Sequence, residues 1–251
     1  MRPDEARPRL AALGFRAADV ETLAGHFLDA ERRGQKGHGL SRIEWLETWD
    51  DLPTAAFPRR ELATDGYELW DGDGALGYLT LAAVAAAQIE VPPEHARVVV
   101  CTRTFPTGAL GYWARQLAGA GLVALITATS PRRLASPQGG PELAGTNPIA
   151  IAVPSSDGRP IVADVSMGAV TYGAVLAGEA SREELVPFGG ELAHKSFALA
   201  VGLHLIVDAL TPHDGFGAVL VVARPEADPV PGLRALAAGV RLPGDSHSQR
   251  S

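Results

Sequence analysis

Apolar side chains recur at helical spacing over the first part of the chain. Within residues 4–31 they return every three or four positions, and Gly14 interrupts the pattern, which predicts two helices rather than one. The second helix is expected to begin at Ala17. A glycine-rich turn follows at residues 34–39. We therefore predict a small helical region over residues 1–55 that carries a loop rich in histidine, lysine and arginine.

The pattern then changes to short apolar runs that alternate with helical segments. Strands rich in β-branched residues suit a sheet that is buried on both faces. Two strand–helix–strand passes in succession favour an α/β fold. The predicted elements are a strand and turn at 67–74, a helix at 78–90, a strand at 98–104, a helix at 112–120 and a strand at 122–129.

The next segment reads as an antiparallel hairpin. Strands at 149–153 and 160–165 flank a polar turn containing Gly158. An apolar helix at 196–210 and a last strand at 218–223 complete the predicted core. We accordingly assign an α/β core, expected to bind a cofactor, to residues 56–225. A C-terminal extension that returns to the helical region occupies 226–251, and residues 246–251 are expected to be disordered.

Composition limits the classes of function. The net charge of −7 argues against a nucleic acid as partner. The single cysteine, Cys101, lies in an apolar run and predicts a buried thiol in a reducing, cytoplasmic location. No secretory signal is evident, and no run approaches the ~18 apolar residues of a membrane span, so no membrane partner is expected.

Several well-known catalytic motifs are missing. The glycine pattern at 72–77 matches a dinucleotide fingerprint, but its flanking aspartates would repel a pyrophosphate, so a turn that starts a helix is the better interpretation. No P-loop and no nucleophile elbow occur. The seven histidines show no pair at ligand spacing, and we predict no metal site.

The segment from Arg32 to Arg42, RRGQKGHGLSR, combines glycines with reactive side chains. His38 stands between two glycines, which suits proton exchange with a substrate. Arg42 lies one helical turn further on, so that one small carboxylate could contact both side chains. A solvated basic loop with a capping role is an equally open interpretation of the same residues.

Two further segments have the composition of anion sites. The turn at 145–148, Gly-Thr-Asn-Pro, presents backbone amides, although a turn that simply starts a strand explains it as well. Lys195 stands at a predicted helix start after two glycines, where amides and a lysine would suit a phosphate or carboxylate. A capped helix with an exposed lysine is the alternative.

Taken together, these segments resemble the type II malate/L-lactate dehydrogenases, a family that includes sulfolactate, ureidoglycolate and diketogulonate dehydrogenases and cyclic imino-acid reductases. The resemblance rests on four stretches in the family order: RRGQKGHGLSR, GGPELAGTNPIAIAVPSSDGRPIVADVSMGAVTYGAVL, VPFGGELAHKSFALAVGLHLIVDAL and VRLPGD. It implies a non-Rossmann α/β fold, in which a mixed sheet is flanked by helices. It also implies bound NADH or NADPH and a homodimer whose site draws on both subunits.

The resemblance further implies roles for individual residues. His38 would donate the proton while hydride reaches the C=O or C=N carbon of a 2-oxo acid or imino acid, and Arg42 would hold the carboxylate. Lys195 would reach the cofactor or the substrate. The residues expected to line the cofactor are Thr129, Ser130, Gly145, Thr146, Asn147, Asp164, Val165 and Ser166.

The sequence departs from the family pattern at several points. Pro106 stands where the family has a second histidine, while Tyr112 is kept as a substrate residue, and the connection over 175–186 is much shorter than usual. Arg103 is a new cation that could anchor a carboxylate or a phosphate. The first hypothesis is an NAD(P)H-dependent reductase. The alternative is a catalytically impaired relative that binds the cofactor or a partner.

Overall fold

The computed structural model describes residues 1–213 and 215–245, and this part of the chain is built on a seven-stranded mixed sheet. The predicted disorder of residues 246–251 lies outside the described residues. A separate two-stranded sheet pairs β5 (Leu134–Ala135) with β6 (Glu142–Ala144). With strands numbered in chain order, the large sheet runs β1 (Arg59–Ala63), β2 (Tyr67–Asp71), β3 (Ala96–Thr102), β9 (Ala218–Ala223), β4 (Val123–Ala128), β7 (Ile149–Val153) and β8 (Ile161–Val165).

Helices of very different lengths surround this sheet. Short 3-10 turns at Lys36–His38, Arg182–Glu184 and Gly190–Leu192 connect some of them. The helices of the described residues are α1 (Ala6–Ala12), α2 (Ala17–Arg32), α3 (Ser41–Leu46), α4 (Gly77–Glu90), α5 (Leu110–Gly119), α6 (Tyr172–Leu176), α7 (Ala193–Leu210) and α8 (Val230–Leu236).

The α/β prediction is confirmed. Strands β2 and β3 are parallel neighbours joined through α4. Strands β3 and β4 are both antiparallel to β9 and therefore run parallel to each other, with α5 between them in the chain. The predicted hairpin is also present, since β7 and β8 pair antiparallel with Ile151 opposite Ala163.

The position of the last strand was not predictable from the order of the elements. Strand β9 lies in the middle of the sheet, where Val221 is paired with both Val98 and Leu125. Its uninterrupted apolar sequence fits this place, because a central strand is covered on both faces. The insertion of β9 separates β3 from β4 and adds two antiparallel pairings to the mixed sheet.

The two faces of the sheet are covered unequally. Alternate strand residues such as Val99 and Cys101 join one large core with α1 to α5, which fixes the N-terminal helices against the sheet. The opposite face carries α7, whose Val207 packs against Val100 and Val219. Because the helical region and the sheet share one core, the N-terminal loop is held at a defined distance from the strand ends.

Helix α7 buries only one stripe and leaves several leucines exposed. By length and composition alone, the segment Gly190–Leu210 is apolar enough to cross a membrane. However, the buried stripe packs against the sheet, and it includes the polar residues Ser196 and His204. These contacts are those of a helix that belongs to the core layers.

Some elements escaped prediction because their sequences lack a clear pattern. Every residue of the edge strand β1 is exposed, and three of its five residues are charged. Beyond residue 225, α8 forms and Arg234 bonds to the Arg159 carbonyl oxygen at 3.0 Å and to Asp245 at 3.2 Å. The C-terminal segment is thereby attached to the turn between β7 and β8.

Candidate active site

One cavity of about 320 Å³ lies where the N-terminal helices meet the ends of the strands. The loop before α3, the start of α4, the cis peptide at Phe105–Pro106 and helix α6 all contribute to its walls. Of the predicted site residues, seven line it: His38, Arg42, Thr129, Ser130, Thr146, Asp164 and Ser166.

His38 ends the 3-10 turn Lys36–His38, and α6 covers that turn. The covering depends on a close approach of two glycines: a Cβ on Gly37 would lie 2.6 Å from the carbonyl carbon of Gly173. His38, whose flanking glycines led us to expect an accessible side chain, is therefore half-buried. Its Nδ1 atom is fully enclosed and has no hydrogen-bond partner.

Burial sets the protonation of His38. Desolvation, followed by the nearby positive charge of Arg42 and by His26, lowers the pKa of His38 to about 3. In the ligand-free cavity the imidazole is neutral at physiological pH. It can accept a proton, and it needs a nearby negative charge before it can hold one to donate.

Arg42 is only 7% exposed, yet no carboxylate of residues 1–213 or 215–245 lies within ion-pair distance of it. Its Nε donates to the Gly37 carbonyl oxygen at 2.7 Å, and its guanidinium stacks on Trp45 at 4.9 Å. These contacts hold the group in place without neutralising it. A buried cation of this kind is stabilised when an anion arrives.

A second arginine that the sequence analysis did not single out as a site residue also lines the cavity. The Arg133 guanidinium lies 3.7 Å from the centre of the Tyr172 ring, and its charge lowers the pKa of Arg42 after the larger effect of burial. We call His38, Arg42 and Arg133 the basic wall. Two like charges facing one cavity repel each other, so a bound anion would relieve both.

The shortened connection after α6 still brings an acid to the cavity. Glu179 lines it and forms an ion pair with Lys36 at 3.7 Å. Both side chains are largely exposed, so this pair closes the rim of the cavity rather than its interior.

The opposite side carries hydroxyl groups, and we call Thr129, Ser130, Thr146 and Ser166 the hydroxyl wall. Most of its polar atoms are already bonded within the protein. Thr129 exchanges hydrogen bonds with the Gly217 backbone, and the Ser166 hydroxyl donates to the Thr146 carbonyl oxygen at 3.1 Å. The Thr146 hydroxyl makes no bond within the described residues and is the one left for a ligand.

Asn147 fixes the hydroxyl wall from behind rather than lining the cavity. Its Oδ1 accepts from the Ser130 amide at 3.1 Å, and its Nδ2 donates to the Ala200 carbonyl oxygen at 3.1 Å and to His204 Nδ1 at 3.0 Å. Gly145 is equally enclosed, since a Cβ there would lie 2.2 Å from the Ser130 hydroxyl oxygen. The Gly-Thr-Asn-Pro turn thus shapes the Ser130 turn.

Asp164 lies at the end of β8 and reaches the first turn of α5. Its Oδ2 accepts from the Gly111 amide at 2.8 Å. Burial raises the pKa of Asp164, while this hydrogen bond and Arg115 act in the opposite direction. The side chain both lines the cavity and satisfies an amide at the helix N-terminus.

Four other predicted site residues lie outside the cavity of this single chain. Val165 is 43% exposed, and Lys195 is exposed at the start of α7. Arg103 is engaged in an ion pair with Asp71 across the turn that follows β2, so it is not an open anchor here. Tyr112 packs on the His26 ring at 4.9 Å, away from the cavity. Their roles as site residues stay predictions.

Sequence reasoning missed Tyr78, which lines the cavity, and His26, which packs against it. Tyr78 is 1% exposed, and the centroids of the His26 and Tyr78 rings lie 4.8 Å apart. Pro106, which stands where the family has a second histidine, also lines the cavity. Both missed residues lie in helices with strongly apolar patterns. Only the folded chain, which brings them near the site of His38, identifies them as candidate site residues.

The glycine pattern at 72–77 behaves as interpreted. It forms the turn between β2 and α4, and the Gly72 amide donates to the Thr102 carbonyl oxygen at 2.8 Å. The described residues also contain no group of three potential metal ligands.

Comparison with known proteins decides the ancestry. The profile of the malate/L-lactate dehydrogenase family matches residues 4–189. The chain belongs to this family. A malate dehydrogenase of Pyrococcus abyssi is 29% identical over 84% of this chain and 59% of its own length. An L-lactate dehydrogenase of Cupriavidus necator is 30% identical over 82% of this chain and 68% of its own length.

Solved structures of the malate/L-lactate dehydrogenase type share the fold. The δ1-piperideine-2-carboxylate reductase of Pseudomonas syringae superposes with a TM-score of 0.80 at 23% identity, covering 97% of this chain and 89% of the reductase. The malate dehydrogenase of Entamoeba histolytica gives a TM-score of 0.82 at 18% identity over 97% of this chain and 85% of its own. The predicted non-Rossmann fold is thereby confirmed, while this chain spans about three fifths of the Pyrococcus enzyme.

Proposed function

We propose that this protein is an NAD(P)H-dependent reductase of a 2-oxo acid or imino acid, with His38 as proton donor and Arg42 as carboxylate anchor. The observation that carries the proposal is the buried Arg42, which lines the cavity together with His38 and has no carboxylate partner in the described part of the chain. The named relatives include malate, L-lactate and (2R)-3-sulfolactate dehydrogenases, and 2,3-diketo-L-gulonate reductase.

The cavity fits the nicotinamide end of NADH or NADPH. Its volume of about 320 Å³ suits a ring and a sugar, and its hydroxyl wall offers polar groups with fixed positions. Thr146, Ser130 and Ser166 would hold that end, and Asp164 would border it. When bound, the nicotinamide supplies the hydride, so the protein needs no nucleophile of its own.

The residues of this chain then do the positioning and the proton transfer. The Arg42 guanidinium binds the substrate carboxylate. Burial is the main cause of the low pKa of His38 and the charge of Arg42 is the second, and the new negative charge acts against both. His38 therefore takes up a proton together with the substrate and donates it to the oxygen or nitrogen of the reacting double bond. In the reverse direction, neutral His38 accepts the proton as a general base.

The exposed face of α7 supports the homodimer implied by the family. Leu199, Leu205 and Ile206 are each about half exposed on one helix, which is unfavourable in water. A partner subunit covering this face would also bring Lys195 into a subunit interface, where its predicted role at a cofactor becomes possible. Light scattering at dilute concentration tests the assembly. The cytoplasmic location stays a prediction.

Nicotinamide fluorescence and turnover test the proposed activity. NADPH and NADH are titrated into the protein, and a panel of pyruvate, oxaloacetate and Δ1-piperideine-2-carboxylate is then tested for oxidation of the bound cofactor. Replacing His38 by Ala should lower the turnover number at least ~100-fold, as removal of a general acid does. His95→Ala, at an exposed histidine far from the cavity, is the control.

The outcomes separate the hypotheses. Absence of binding of either nucleotide would contradict the reductase proposal. Cofactor binding without turnover on any member of the panel would favour the impaired relative. A His38→Ala variant as active as the wild type would remove His38 from the mechanism while leaving the reductase in place.

A further inference from the structure

Polar atoms without partners are concentrated around Tyr78, a residue that lines the cavity. Among the described residues, five enclosed side-chain atoms lack a hydrogen bond, and three of them belong to His26 (Nδ1), His38 (Nδ1) and Tyr78 (hydroxyl). His38 and Tyr78 line the cavity and His26 packs against Tyr78, whereas the other two atoms belong to Thr102 and Arg234. An unpaired buried polar atom costs about 1–3 kcal/mol, so three in one place call for a common explanation.

The Tyr78 ring is fixed from several sides. It packs edge-on against His26 and against Phe27, with centroids 4.8 and 5.0 Å away. Gly108 adopts a left-handed conformation with φ +75°, and a Cβ there would lie 2.3 Å from Tyr78 Cε1. The backbone thus lies against the ring edge, and the ring that carries the hydroxyl is held in place.

Two of the side chains around Tyr78, His26 and Arg42, present hydrogen-bond donors. His26 Nε2 accepts from the Ala109 amide at 3.1 Å, which places the proton of the neutral ring on Nδ1. Burial keeps that ring neutral by lowering the pKa of His26 to about 3. The Arg42 guanidinium offers donors only. Neither of these two side chains offers an acceptor for the Tyr78 hydroxyl proton, and the hydroxyl has no hydrogen-bond partner among the described residues.

We propose that the Tyr78 hydroxyl donates a hydrogen bond to the substrate atom, oxygen or nitrogen, on which negative charge develops during reduction. This inference rests on the proposed function. Hydride adds to the substrate carbon, the π electron pair moves to the oxygen or nitrogen, and the proton of His38 completes the product. Tyr78 keeps its own proton throughout, and its hydrogen bond strengthens as the charge grows.

The chemistry of the phenol suits this role. Burial raises the pKa of Tyr78, against a smaller opposing effect of Arg42, so the hydroxyl stays protonated over the working range of pH. A fixed donor at the reacting atom replaces part of what the second family histidine would offer. Such donors act by stabilising the transition state rather than by binding the cofactor.

The test compares Tyr78→Phe with Tyr67→Phe, a tyrosine on β2 that does not line the cavity. We expect kcat for 2-oxo acid reduction to fall about 100-fold in Tyr78→Phe, with the KM for NAD(P)H unchanged. The free energy of unfolding should not fall, because Phe keeps the ring and removes an unpaired polar atom. An unchanged kcat, or a loss of activity explained by unfolding, overturns the inference.

Binding of oxamate, an unreactive 2-oxo acid analogue, gives a readout that does not need turnover. By calorimetry in the presence of NADH, Tyr78→Phe should bind oxamate about tenfold more weakly than the wild type, and Tyr67→Phe equally well. Should the wild type show no turnover, the proposed function fails while this comparison still decides the role of Tyr78. Equal affinities, or no oxamate binding by the wild type, overturn it.

Discussion

The two sides of the cavity differ in how their polar atoms are satisfied. On the hydroxyl wall, Thr129 and Ser166 are hydrogen-bonded to backbone atoms. Asn147 makes four hydrogen bonds, two to Ser130 and two to helix α7. On the basic wall, Arg42 has no carboxylate and His38 Nδ1 has no hydrogen-bond partner among residues 1–213 and 215–245. Satisfied groups make a rigid frame, whereas unsatisfied ones gain most when a ligand arrives. The difference separates residues that shape the cavity from residues that we propose act in it.

The largest effect that tests this comparison is expected from removal of the buried charge of Arg42. Arg42→Met should lower kcat/KM for 2-oxo acids at least about 100-fold, because a buried charged hydrogen bond to the substrate is lost. The free energy of unfolding should change by no more than about 1 kcal/mol, since an uncompensated charge is removed together with one hydrogen bond. Steady-state kinetics and urea unfolding measure the two effects.

Arg7→Met is the matched control, because Arg7 is exposed and paired with Glu21 far from the cavity. Arg7→Met should leave both kcat/KM for 2-oxo acids and the free energy of unfolding nearly unchanged. If Arg42→Met unfolds the protein but keeps normal affinity for 2-oxo acids in the folded fraction, the basic wall is structural and the comparison fails.

The hydroxyl wall should respond in the opposite way. Asn147→Ala leaves the Ser130 amide and His204 without their partner, so the free energy of unfolding should fall by about 3 kcal/mol in urea titrations. Thr146→Val removes the hydroxyl that faces the cavity unbonded, and it should raise the KM for NAD(P)H without loss of stability. A stable Asn147→Ala variant would show that the wall does not depend on this side chain.

The smallest effect concerns acid stability. Buried neutral His26 and His38 have pKa values of about 3, against 6.5 for the free side chain. Between these values the unfolded chain binds more protons, so stability is complete above pH 6.5 and falls as the pH is lowered. Each histidine should contribute about 1.4 kcal/mol per pH unit within this window.

Urea unfolding at a series of pH values from about 6.5 to 4.5 measures that slope above the range in which most carboxylates titrate. His26→Gln removes one of the two titrating rings and should reduce the slope, while His95→Ala, at an exposed histidine, should leave it unchanged. A slope independent of His26 would mean that its ring is not kept neutral by burial.

Much of the fold followed from local patterns. The helix at Ala17–Arg32, the strand–helix–strand passes and the hairpin of β7 and β8 all have clear periodicities, and each was confirmed. Elements without a pattern were missed, among them the charged edge strand β1 and the short helix α6. The central place of β9 depends on pairing between segments more than a hundred residues apart, which no local pattern encodes.

The features of the candidate site also divide into those that follow from local sequence and those that depend on tertiary contacts. The sequence alone determined the family and the pair His38 and Arg42, because a motif of adjacent residues carries both. Only the tertiary structure decided that His38 is neutral, that Arg42 lacks a counterion among the described residues and that Tyr78 lines the same cavity. Protonation and pairing depend on burial and on neighbours brought from distant segments, and those are properties of the packed chain.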